Sequence, residues 1–135
     1  MNPNNLKYSK NHEWIGLDME TVNKNEKAYV GITHFAQNEL GDIVYLDIED
    51  SIVGTKIKGG NVFGTIEAVK TVSDLFMPVS GIILEFNKNL LSHPEYINKN
   101  SYDKGWILQI KILNKKEYHE LMSLEEYKKY IGKKK

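Results

Sequence analysis

Cysteine is missing from this 135-residue chain, which excludes disulfide stapling, thiolate catalysis and Cys-based zinc sites. Arginine is missing too, so every basic side chain is a lysine. Arg is the usual bidentate grip on phosphate, and its absence argues against a phosphate-recognition site. Asn is abundant as well, so the bias reads first as compositional. Basic and acidic residues number 18 each and their charges cancel, which disfavours nucleic acid or an anionic membrane as partner. No apolar run approaches a membrane span; Gly81-Ile82-Ile83-Leu84 is about the best available. The opening Met1-Asn2-Pro3-Asn4-Asn5 has neither the apolar core of a signal peptide nor the Arg-rich character of a transit peptide. A cytoplasmic location is expected, or the mitochondrial matrix if a targeting segment is missing from this chain.

Catalytic and metal signatures are also scarce. His12, His34, His93 and His119 show no helix-borne zinc spacing, and none neighbours a Ser in a nucleophile-elbow context. Gly54-Thr55-Lys56-Ile57-Lys58-Gly59 begins like a phosphate loop, but Gly60 and Asn61 replace the required Lys and Ser/Thr. No Gly pattern follows a strand and opens a helix, so a dinucleotide site is not expected. The adjacent Glu49 and Asp50 read as a solvated surface. Neither a metal site nor an enzyme is expected.

The length suits one domain over 1–135, with a β core of about 8–113 and a C-terminal helical segment of about 115–131. Trp14-Ile15-Gly16-Leu17 and Lys27 to Ile32 flank the polar turn Asn23-Lys24-Asn25 and predict a hairpin. A short helix is expected from Thr33, a capping residue, to Gly41, a stop. Ile43 to Ile48 is β-rich. Asn61 to Glu67 and Ser73 to Met77 form two hairpin arms, and Ile82 to Phe86 and Gly105 to Lys111 are further strands. Ser123-Leu124-Glu125-Glu126 fits a capping box, with Leu124, Tyr127, Tyr130 and Ile131 on one helix face. Lys133-Lys134-Lys135 reads as a frayed, solvated end. The fold class is therefore mainly β: a flattened antiparallel barrel or sandwich, with a short internal helix and C-terminal helices.

Lys70 stands between the β-branched Val69 and Thr71, inside a stretch whose flanks pair like two strands. A lysine at a hairpin tip is exposed on a rigid stalk, the presentation a modifying enzyme needs to select one amine among many. An ordinary exposed lysine is the competing reading. The neighbouring residues reverse the balance. Glu67-Ala68-Val69-Lys70, Ser73-Asp74-Leu75 and Pro78-Val79-Ser80-Gly81 resemble the lipoylation hairpin of the glycine cleavage H-protein family. His12-Glu13-Trp14, Val30-Gly31-Ile32-Thr33, Ala36-Gln37, Leu40-Gly41-Asp42 and Gly105-Trp106 follow the family's pattern in order.

The resemblance implies a lipoyl-type barrel-sandwich hybrid and a non-catalytic carrier, with lipoic acid joined covalently to Lys70. Such a carrier takes an aminomethyl group from glycine decarboxylase to an aminomethyltransferase and is reoxidised by dihydrolipoamide dehydrogenase. Lipoylation enzymes are further implied partners, Glu67 belongs to the modification-site context, and a monomer is expected. It also implies that Glu13 and Asp74 line a cleft where the loaded arm folds back, since carboxylates suit a cationic amine. A strand carboxylate for Glu13 and a turn-stabilising side chain for Asp74 are the plainer readings. The chain departs from the family's pattern at Asn11, His34, Ala68, Thr71 and Phe76-Met77, and Glu49-Asp50-Ser51-Ile52 lacks the usual Pro. Alternative functions are a lipoyl domain of a 2-oxo acid dehydrogenase, or an H-like protein that relays lipoate without glycine cleavage.

Overall fold

Alternating burial along short β-rich segments resolves into two antiparallel sheets in the computed structural model, which describes residues 1–18 and 27–132. The expected turn at Asn23-Lys24-Asn25 and the terminal Lys133-Lys134-Lys135 lie outside the described residues. The larger sheet contains β1 (Lys7–Tyr8), β2 (Glu13–Leu17), β3 (Lys27–Ile32), β5 (Lys56–Ile57), β8 (Gly81–Phe86) and β9 (Leu108–Ile112). Its spatial order is β1-β2-β3-β9-β8-β5. The smaller sheet, in the order β4-β6-β7, contains β4 (Ile43–Asp47), β6 (Val62–Ala68) and β7 (Val72–Phe76). Of the two expected forms the flattened sandwich is the one adopted, because the sheets do not close into a barrel. Ile15, Val30, Ile83 and Ile110 from one sheet meet Leu46, Ile66 and Leu75 from the other in the main core.

Local chemistry sets the helix ends. Helix α1 (His34–Leu40) starts where Thr33 Oγ1 accepts from the Ala36 N–H, and it stops at Gly41, whose φ of 84° favours glycine. Helices α2 (Asn89–Ser92) and α3 (Tyr96–Lys99) are single turns between β8 and β9, and α4 (Lys115–Glu120) is capped by Asn114. In α5 (Leu124–Gly132) the capping box forms: Ser123 N–H donates to Glu126 Oε1 at 2.9 Å and Glu126 N–H to Ser123 Oγ at 3.2 Å. Its face, Leu124, Tyr127, Tyr130 and Ile131, packs on a second apolar cluster of Leu6, Tyr8 and Trp14.

The short strands β1 and β5 and the single-turn helices α2 and α3 go beyond expectation, and the largest boundary difference is in the last strand. The last strand begins at Leu108, not Gly105. The Asn87 side-chain amide donates to the carbonyls of Lys104 and Trp106 at 3.0 and 2.8 Å, so these groups are satisfied outside a ladder. No described helix is long and apolar enough to cross a membrane.

Candidate functional site

The β6–β7 hairpin carries the lysine singled out by sequence. Glu67 pairs with Val72, and Val69-Lys70-Thr71 form the tip. The tip is closed by a bond from Ala68 N–H to the Thr71 carbonyl at 2.8 Å. A second bond, from Val69 N–H to the Asp42 carbonyl at 3.2 Å, ties it to the segment after α1. Lys70 is exposed, flanked by Val69 at 69% and Val72 at 62% exposure. Exposed apolar neighbours leave the amine reachable from solvent without a competing anchor. Glu67 is exposed as well, in register with Tyr45 on one side and Val72 on the other.

A cleft of about 370 Å³ opens between α1, the start of β2 and the hairpin stem. Its floor is apolar, from Ile32, Phe35, Leu40, Ile66 and Leu75. Glu13 and Asp74 both line it, so the fold brings together two carboxylates that are remote in sequence. Glu13 opens β2 and is 2% exposed. Its Oε1 accepts from the Ser9 hydroxyl at 2.6 Å and its Oε2 from Phe76 N–H at 3.4 Å, linking the larger sheet to the end of β7. Burial pushes the Glu13 carboxyl up to about 7, against the lowering effect of the Ser9 and Phe76 bonds. A cation entering beside this carboxyl would favour its ionised form.

Asp74 is exposed in the middle of β7, paired with Thr65. It therefore sits in a strand ladder and is not a turn-stabilising side chain. Sequence reasoning missed Glu39 and Ser73, which also line the cleft. Glu39 follows Phe35 by one helical turn, and that spacing was the available signal. Of the two departures near this region, Asn11 lines the cleft, whereas the His34 ring is engaged by the Gln37 side chain at 3.0 Å. Among the described residues no group of three His, Asp or Glu side chains could hold a metal. An apolar floor with carboxylates beside it can hold a hydrocarbon chain ending in a cation.

Comparison with known proteins follows the same line. The family described as glycine cleavage H-protein matches residues 6–134. A glycine cleavage system H protein of Halothermothrix orenii is 45% identical over 129 residues, spanning 96% of this chain and 94% of its own. That of Staphylococcus saprophyticus is 43% identical over 130 residues, spanning 96% and 97%. The crystal structure of a glycine cleavage system H protein from Mycobacterium marinum superposes with a TM-score of 0.83 at 32% identity, covering 97% of this chain and 99% of that one.

Proposed function

The chain belongs to the glycine cleavage H-protein family, and from that premise we propose that Lys70 is the lysine that carries the lipoyl group. Members of the family are the lipoyl carriers of the glycine cleavage system, moving an aminomethyl group from glycine decarboxylase to the aminomethyltransferase before reoxidation by dihydrolipoamide dehydrogenase. The single observation that carries the assignment is the exposed amine at the tip of a bonded hairpin, beside an apolar cleft with carboxylates in its lining. When attached, the lipoyl group supplies the dithiolane sulfur that takes the cargo.

The chain's own residues present and protect. The hairpin presents Lys70 to partner enzymes, and Glu67, three residues earlier in β6, marks the site for the lipoylation enzymes. The apolar floor suits the hydrocarbon arm. Glu13 and Asp74 hold the cationic amine through charge-assisted hydrogen bonds and keep it from water. In this reading the whole chain, 1–135, works as one monomeric, non-catalytic carrier in the cytoplasm, with the chemistry in its partners and in the lipoyl group.

The test is peptide mapping by mass spectrometry after lipoylation. Lys70 alone among the lysines is expected to be modified, and Lys70→Arg should abolish both modification and support of glycine decarboxylation. Acylation elsewhere with Lys70 free would refute the assignment. Reductive acylation by a 2-oxo acid dehydrogenase, with glycine decarboxylase inert, would transfer the function to that other complex.

A further inference from the structure

Tyr127 is on α5, outside the cleft lining, yet its hydroxyl lies where two walls of the cleft meet. Its Oη is 2.8 Å from His12 Nδ1 and 2.7 Å from Thr33 Oγ1. His12 lines the cleft next to Glu13. Thr33 caps α1, the helix that supplies another wall through Phe35, Ala36 and Leu40. A tyrosine hydroxyl can donate to one of its two neighbours and accept from the other, so a single oxygen serves both. Phenylalanine would serve neither.

We infer that Tyr127 is a positioning residue, whose hydroxyl ties His12 to the capped end of α1 and so sets the width of the cleft that holds the loaded arm. The inference rests on the reading of that cleft as the arm's resting place. Two features support a positioning role over simple packing. First, His12 has a backbone φ of 69°, the one positive value at a non-glycine position among the described residues. An L-residue takes that conformation at a cost, so surrounding contacts must impose it. On the backbone these are the turn bond from His12 N–H to the Ser9 carbonyl at 3.1 Å, in the connection between β1 and β2, and the bond from Thr33 N–H to the His12 carbonyl at 3.0 Å. The ring so presented is then held by the Tyr127 hydroxyl and by rings that include Phe35 at 5.0 Å and Tyr130 at 5.9 Å. Second, Tyr127 is itself a fixed post. It is 3% exposed and stacked on Tyr8 with centroids 4.8 Å apart. The C-terminal helix is thereby wired to the cleft and is more than a cover for the second cluster.

The test is Tyr127→Phe in the full chain, which keeps the ring stack and removes only the oxygen. In unlipoylated, isotope-labelled protein, the His12 Nδ1 resonance should shift and hydrogen exchange of the Ala36 and Gln37 amides should rise roughly five- to tenfold, the effect of one lost hydrogen bond. In the lipoylated, loaded protein, hydrolysis of the cargo should accelerate by a similar factor; water breaks the bond between sulfur and the aminomethyl carbon, formaldehyde and ammonium leave, and the arm keeps its sulfur as a thiol. Ile83→Val, a small deletion in the buried core of β8 outside the cleft, is the stability control and should move none of the three readouts. Unchanged His12 and α1 signals in Tyr127→Phe, or changes no larger than the control's, would overturn the inference. So would an unchanged cargo lifetime where Glu13→Gln shortens it. If Glu13→Gln also leaves the lifetime unchanged, the arm-docking reading itself fails and the inference falls with it.

Discussion

Replacing Glu13 by Gln should change the pH dependence of stability more than any other single substitution in the cleft. The side chain is 2% exposed, and its carboxyl is raised from 4.5 to about 7 by burial. The folded state therefore keeps this proton to higher pH than the unfolded chain does. Below pH 4.5 both states are protonated and the group is neutral in its effect. Between pH 4.5 and 7 the unfolded chain ionises first, so stability falls as pH rises; above 7 the loss is constant. A shift of this size corresponds to about 3 kcal/mol. Gln removes the titration while its carbonyl still accepts from the Ser9 hydroxyl, giving up only the long 3.4 Å bond from Phe76 N–H. Urea midpoints of the unlipoylated protein, measured at pH 4.5 and pH 8, provide the assay. The wild type should lose about 3 kcal/mol more between these pH values than Glu13→Gln, a difference of roughly 10 °C in melting temperature. Parallel pH profiles for the two proteins would mean that Glu13 is not the buried, desolvated acid described above.

Asp74→Ala should leave lipoylation intact and shorten the cargo's lifetime by about two- to fivefold, a small effect because the carboxylate is exposed; mass spectrometry of the loaded arm over time measures it. Gly31→Ala would place a Cβ 2.6 Å from Nε1 of Trp14, an indole fully buried and bonded to the Ser101 carbonyl, so it should cost about 1–3 kcal/mol in urea denaturation. Deleting residues after Asn114 removes buried Tyr127 and half-buried Leu124 and Ile131 from the second cluster, at no more than about 1.5–3 kcal/mol per side chain before entropy is subtracted. An unmoved denaturation midpoint would mean that α4 and α5 together contribute no stability.

The elements legible from sequence were those whose signals are local. Thr33 and Gly41 bound α1 through bonds within a few residues, as Ser123 and Glu126 bound the start of α5. The hairpin that exposes Lys70 needs only two adjacent segments and a short tip, so its placement followed from the order of residues alone. The family motifs added Glu13 and Asp74 as cleft residues, a role that composition and spacing alone could not supply. Other features depend on partners that are near in space and remote along the chain. Asn87 takes the carbonyls that would otherwise have extended the last strand back to Gly105, and nothing in the apolar pattern there signals it. Glu13 looks like any strand carboxylate until the packed fold buries it, and that loss of water raises its pKa although the Phe76 N–H at the end of β7 opposes the rise. Tyr127 reads as one more apolar position on a helix face, and only packing brings its oxygen to His12 and Thr33. Sequence by itself thus determined the longer strands, the capped helices and the exposed lysine, because each is written in neighbouring residues; the short strands β1 and β5, the buried acid, the cleft and its tie to the C-terminal helix were decided by tertiary structure, because long-range pairing, burial and long-range hydrogen bonds exist only once the sheets have packed.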